Sequence, residues 1–219
     1  MVAKAVTSAV RETFTAMGYA HVPEVYPRDM VAELRTELDR LVAGMRDSAW
    51  SGAWRESYPA PGYTLYTLHG LDAVSDPWKD AIAHQPARAL ASELLGTTAT
   101  CTKSTLVSKP PKTGQPFPLH QDAVYMKPKH PYVLMTLYLD DVTPDNGSIC
   151  VVPQSHVNGT QRHVGQASGK QYLDSVTLAD AVCPQASAGD VLCFSPFTVH
   201  GSHPNTSEKM RHAVRLVWA

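Results

Sequence analysis

The segment Pro118-Leu119-His120-Gln121-Asp122 sets a histidine and an aspartate two residues apart. On an extended strand, residues i and i+2 project from one face, so an imidazole and a carboxylate can converge on one ion. A third ligand must come from elsewhere, and His200, in Phe197-Thr198-Val199-His200-Gly201-Ser202-His203, is the candidate. Two imidazoles and one carboxylate on one face leave three coordination positions open, the arrangement of non-heme iron(II) sites that use dioxygen. The pair alone is a weak signal. The chain has ten histidines, and a surface turn is the commoner origin of a His-x-Asp pair.

The elements that must position these residues fall into two parts. Up to Gly96 the pattern is mostly helical. Val31, Leu34, Leu38, Leu41, Val42 and Met45 recur at helical spacing with Arg35, Glu37, Asp39 and Arg40 between them, an amphipathic helix starting near Pro27. Residues 18–25 alternate as a short strand, and helical patterning returns from Trp78 to Leu95. Between these, residues 48–76 form an aromatic, Gly/Pro-rich stretch with Trp50, Trp54, Tyr58, Tyr63, Tyr66 and His69, read as a long covering loop with short strands. From residue 97 onward, short β-rich segments alternate with Pro, Gly and Asn, which suggests a sandwich or jelly roll. The expected architecture is mainly β: a jelly-roll core (97–219) with an N-terminal helical layer and covering loop (1–96), in one domain.

Two strands carry more detail. In Tyr132–Leu139, one face is Val133, Met135, Leu137 and Leu139, while the other mixes Tyr132, Leu134, Thr136 and Tyr138. In the last strand, Arg211, Ala213 and Arg215 oppose Val214, Leu216 and Trp218. A barrel with a packed outer layer and a polar interior produces such faces, and so does an edge strand with one wet side.

Composition bounds the partners. The chain has 219 residues, 43% hydrophobic and 18% charged, enough for a core without staples. Nineteen basic and twenty acidic side chains give a formal net charge of −1, which lacks the footprint of a nucleic-acid binder. No apolar run approaches the ~20 residues of a membrane helix, and the N-terminus reaches Arg11 and Glu12 too early for a secretory leader. The four cysteines, Cys101, Cys150, Cys183 and Cys193, lie far apart and read as ordinary buried thiols. The expectation is a soluble, cytoplasmic protein acting on a small molecule, with neither nucleic acid nor membrane as partner.

Four ordered blocks sharpen the metal reading: SKPPKTGQPFPLHQD, DNGSICVVPQSH, AGDVLCFSPFTVHGSHPN and the closing TSEKMR. Together they resemble the phytanoyl-CoA dioxygenase-like family of Fe(II)/2-oxoglutarate oxygenases. The likeness runs from about Gly18 to Ala219 and is strongest from Lys109 onward. It implies a double-stranded β-helix and iron held by His120, Asp122 and His200. It further implies that Arg211 and Ser202 bind the distal carboxylate of 2-oxoglutarate, with Thr136 on the pocket wall. Gln121 and Asn205 match positions that orient loops around the metal ligands. O2 would be the second co-substrate, and the reaction an oxidation of a substrate C–H bond, most simply hydroxylation, with release of succinate and CO2. Related halogenases lack the carboxylate ligand, so Asp122 argues against halogenation. Tyr63, Tyr66, Tyr125 and Arg215 are candidate substrate contacts, Arg215 either for an anionic group or paired with an acid inside the barrel. The rival reading is a cupin-like metal or small-ligand binder without oxygenase chemistry, which has no use for Arg211 and Ser202.

Overall fold

A computed structural model describes residues 2–46, 53–56, 65–126, 130–165 and 171–219. Five helices lie in the first part of the chain: α1 (Val2–Met17), α2 (Arg28–Arg46), α3 (Leu71–Val74), α4 (Asp76–Ile82) and α5 (Gln85–Leu95). The amphipathic pattern from Val31 is α2, whose Val31, Leu34, Leu38 and Leu41 are buried. The helical patterning from Trp78 to Leu95 belongs to two helices, α4 and α5. Pro86 has no N–H to donate, so it sits in the first turn of α5 and the break falls at Ala83 and His84. α5 then stops at Gly96, which takes the left-handed conformation and donates its N–H to Ser92 O.

Twelve strands among the described residues form the β structure. Seven make one sheet, ordered β1 (Tyr19–Val22), β10 (Val191–Phe194), β6 (Val133–Tyr138), β12 (Arg211–Trp218), β4 (Cys101–Lys109), β3 (Leu65–His69) and β2 (Ala53–Glu56). A second sheet pairs β5 (Phe117–His120), β11 (His200–Ser202) and β7 (Ile149–Val151), and β8 (Val164–Gly165) pairs with β9 (Gln171–Tyr172). All these pairings are antiparallel. The fold is mainly β, a jelly roll with flanking helices. The first part of the chain is more than a helical layer, because β1 closes one edge of the large sheet and β3 and β2 the other.

The two faces seen in residues 132–139 are both buried, and they do different work. Val133, Met135 and Leu137 join Val214, Leu216 and Trp218 in a core with α2, α4 and α5. Leu134 and Tyr138 join Leu192, Phe194, Ala213 and Val217 in a second cluster on the opposite face. β12 runs between β6 and β4, so the edge-strand alternative falls and Arg211, Ala213 and Arg215 line the interior.

The reading of four ordinary thiols is corrected. Cys150 and Cys183 form a disulfide across 33 residues, and only Cys101 and Cys193 are free. Spacing gave no hint, because the pair meets only through the bridge between Val151 and Val182. Among the described residues, no helix is long and apolar enough to cross a membrane.

Candidate active site

His120 ends β5 and His200 opens β11, and the two face each other in register across the small sheet. Their ring centroids are 4.3 Å apart. Asp122 is not on the strand. It begins a short 3-10 turn, but Gln121 between is extended (φ −119°, ψ 132°), so the two-residue geometry still delivers the carboxylate beside the imidazole. Asp122 Oδ1 lies 3.7 Å from His120 Nε2, and ligand atoms of all three residues fall within 4.8 Å of one another.

The main chain sets the tautomers. His120 Nδ1 is 2.8 Å from Pro118 O, and His200 Nδ1 is 3.0 Å from Thr198 O. A carbonyl only accepts, so each Nδ1 carries the proton and each Nε2 keeps a lone pair for a metal. Burial, with the neighbouring His200, holds His120 well below the usual imidazole range, and burial does the same for His200. Burial opposes ionisation of Asp122 as well. Arg215 and the two imidazoles nevertheless keep its carboxyl below the usual carboxylate range. Asp122 Oδ2 is buried without a hydrogen-bond partner. Two bare imidazole nitrogens and an ionised, unsatisfied carboxylate oxygen fit a divalent metal.

Next to this cluster lies a cavity between the two sheets. The large sheet contributes Thr136, Phe194, Arg211, Ala213 and Arg215, and the small one Phe117, His120, Ile149, His200 and Ser202. At its far end Arg211 donates to Gly147 O at 2.9 Å, while its Nε has no partner. Burial lowers this guanidinium to about 10, still a cation at neutral pH. No carboxylate pairs with Arg211 among the described residues. Gly147 has φ +80°, and a Cβ there would sit 2.9 Å from Lys109 Nζ, so only glycine fits the turn.

Lys109 is the residue sequence reasoning missed. It pairs with Arg211 across β4 and β12, is fully buried, and donates to Ser202 Oγ and to His203 O, each at 2.6 Å. Burial and the Arg211 charge together drive its ammonium well below the usual lysine range. The signal was available: Lys103, Thr105, Val107 and Lys109 share one face of a strand, and Val107 lines the cavity. Lys103 itself is exposed.

The remaining expected residues sort clearly. The Gln121 amide donates to Gly159 O and Phe197 O and accepts from the Gln161 N–H, locking three loops around the ligands. His163, also missed, accepts the Gln121 N–H through Nε2 at 3.0 Å. Asn205 donates to Lys109 O and Lys209 O, tying the turn before β12 to the end of β4. Thr136 lines the cavity with a buried, unpartnered hydroxyl. Arg215 takes the internal pairing, its Nη1 3.5 Å from Asp122 Oδ2. Tyr125 is 43% exposed with its ring centroid 6.0 Å from that of His120. Tyr66 is 40% exposed and is not among the residues lining the cavity. Tyr63, Trp50 and Tyr58 lie outside the described residues.

A family model for phytanoyl-CoA dioxygenase matches residues 14–213. The chain belongs to the phytanoyl-CoA dioxygenase family. It is therefore an Fe(II)/2-oxoglutarate-dependent oxygenase. Among curated relatives, ectoine dioxygenase of Stutzerimonas stutzeri (strain A1501) is 24% identical over 228 residues, covering 94% of this chain and 74% of its own. The 1-deoxypentalenic acid 11-beta-hydroxylase of Streptomyces arenae is 24% identical over 214 residues, covering 87% and 72%. The solved epimerase SnoN from nogalamycin biosynthesis, in complex with Fe3+, alpha ketoglutarate and nogalamycin RO, superposes with a TM-score of 0.78. It is 23% identical, over 98% of this chain and 84% of that one.

Proposed function

We propose that this oxygenase hydroxylates a C–H bond of a small metabolite or natural-product intermediate, with iron on His120, Asp122 and His200. The observation that carries the co-substrate assignment is the buried Arg211 guanidinium at one end of the cavity, which has no acid beside it among the described residues, with Ser202 lining the same cavity. A buried charge without a counter-ion is costly, and a carboxylate entering there would remove that cost. A metal-binding protein without a co-substrate has no use for that charge. When bound, iron and 2-oxoglutarate supply oxidative decarboxylation coupled to cleavage of the substrate C–H bond.

The chain's own residues then divide the labour. Arg211 offers a planar fork to the distal carboxylate, and Ser202, held by Lys109 Nζ on its oxygen, keeps its own O–H free to donate to the same group. Arg215 holds Asp122 from the cavity side, so it orients the carboxylate ligand and is not free to recognise a substrate anion. Tyr125, at the rim beside His120, is the described candidate for substrate contact. We take the whole chain as one oxygenase domain, supported by the strands that its first hundred residues add to the large sheet. The Cys150–Cys183 disulfide weighs against the cytoplasmic setting that the wide spacing of the cysteines suggested.

The test is release of succinate from 2-oxoglutarate by Fe(II)-loaded protein across a panel of candidate metabolites. A productive substrate should raise succinate and yield a product heavier by one oxygen, and Asp122→Ala should lose both. Succinate formation unchanged in Asp122→Ala would remove the iron assignment.

A further inference from the structure

Val151 and Val182 form a single antiparallel bridge and exchange both main-chain hydrogen bonds, each 2.8 Å. The next pair outward, Cys150 and Cys183, therefore stands directly opposite in a non-hydrogen-bonded position, where antiparallel Cα atoms come closest. Theirs are 4.0 Å apart and the sulfurs are joined. On its other side β7 pairs with β11, Cys150 opposite Gly201, which brings the residue just past β11, His203, to the same place. A ring nitrogen of His203 and the two sulfurs all lie within 4.8 Å of one another. The His203 ring makes no hydrogen bond among the described residues. Cys150 is buried, and Cys183 and His203 are half-buried.

We propose that in the reduced protein Cys150, Cys183 and His203 form a second metal site, selective for a thiophilic divalent ion such as Zn(II). Two thiolates and one imidazole are a soft-to-borderline donor set of the kind zinc takes, and the half-buried side leaves room for water as a fourth ligand. The set differs from the two imidazoles and carboxylate of the iron site, so the two sites sort metals by ligand type. The exchange balances. A dithiol gives two electrons to the Cys150–Cys183 bond, yielding two thiols and the oxidised dithiol. Zn(II) binding then releases the two thiol protons as the sulfurs become thiolates. An excess of a small disulfide takes the two electrons back by thiol–disulfide exchange, leaving as two thiols, which restores the Cys150–Cys183 bond and releases the ion. The site adjoins the co-substrate end of the cavity, because the His203 carbonyl accepts from Lys109 Nζ. The assignment stands on this geometry and not on the oxygenase reading.

Co(II) titration of the full chain, oxidised and after anaerobic treatment with dithiol, reads the site. Cobalt on His120, Asp122 and His200 has no thiolate, so a near-ultraviolet thiolate-to-cobalt band reports the second site alone. With the dithiol removed, the reduced protein should show the band saturating within two equivalents, one for each site, and bleached by Zn(II), and the oxidised protein should show none. Cys183→Ser should abolish the band and His203→Gln should weaken or abolish it. Thiol counts should rise on reduction from the two free cysteines to four. Three results overturn the proposal: no band in protein with four titratable thiols, a band that survives Cys183→Ser, or a disulfide that resists the dithiol.

Discussion

Each imidazole of the proposed iron site is fixed by a carbonyl two residues earlier in its own chain, and each histidine thereby carries its orienting group with it. That is why a short motif could point to the cluster: each histidine and its hydrogen-bond partner lie in the same stretch of sequence. Lys109 had no such local signature. Its partners, Ser202 and His203, lie more than ninety residues away, and only the strand order brings them together. Arg215 shows the same limit, since two readings of it were open until the register of β12 placed it over Asp122. Lys109→Met keeps most of the side-chain volume and removes the charge and the bond to Ser202. Loss of a charge-assisted hydrogen bond is worth about 1.5–3 kcal/mol, so KM for 2-oxoglutarate should rise roughly 10–100-fold while iron binding is unchanged. Steady-state kinetics in 2-oxoglutarate checks it. An unchanged KM would leave Lys109 a packing residue.

At the scale of elements, β6 and β12 each work on two faces, and their alternation is legible in the order of residues alone. What alternation could not supply was which face met helices and which met the cavity, because both are buried. The two faces should separate by mutation. Leu216→Ala removes a side chain packed in the helix-side core and should cost about 2–5 kcal/mol in denaturant unfolding, with little change in KM for 2-oxoglutarate. Ala213→Leu puts bulk into the cavity wall and should do the reverse, raising that KM while the cost in stability stays within about 1–3 kcal/mol. Equal effects of both substitutions on KM would mean that the faces are not divided in this way. Gly201 is a further constraint on the elements. A Cβ there would lie 2.6 Å from Phe117 O, so β5 and β11 approach closely enough to align His120 and His200 only with glycine between them.

Across the whole molecule, the helices brace one face of the large sheet, and the small sheet with its loops closes the other over the cavity. The jelly roll, the start of α2 near Pro27, the stop of α5 at Gly96 and the His-Asp-His set were legible because they depend on local pattern and ordered motifs. The Cys150–Cys183 link was not, because its 33-residue loop runs through β8 and β9 and returns to β7 through one bridge. That loop also covers β5, with Leu173 N–H donating to Leu119 O beside His120. Closing a loop of this length restricts the unfolded chain by an amount worth about 2–4 kcal/mol. With divalent metal chelated, a dithiol should therefore lower the denaturant midpoint of the wild type and leave that of Cys183→Ser unmoved. Equal midpoints for the oxidised and reduced wild type would show that the link adds nothing to stability.

The central claim is that one cavity joins an iron site on His120, Asp122 and His200 to a carboxylate site on Arg211. Anaerobic titration of 2-oxoglutarate into Fe(II)-loaded protein, followed by the weak visible absorption that appears when the keto acid chelates iron, tests both ends at once. The wild type should develop the band to saturation. Arg211→Ala should need roughly 10–100-fold more 2-oxoglutarate to reach it, in line with the loss of a bidentate charged contact. No band in the wild type, or an Arg211→Ala curve lying on the wild-type one, would contradict the account.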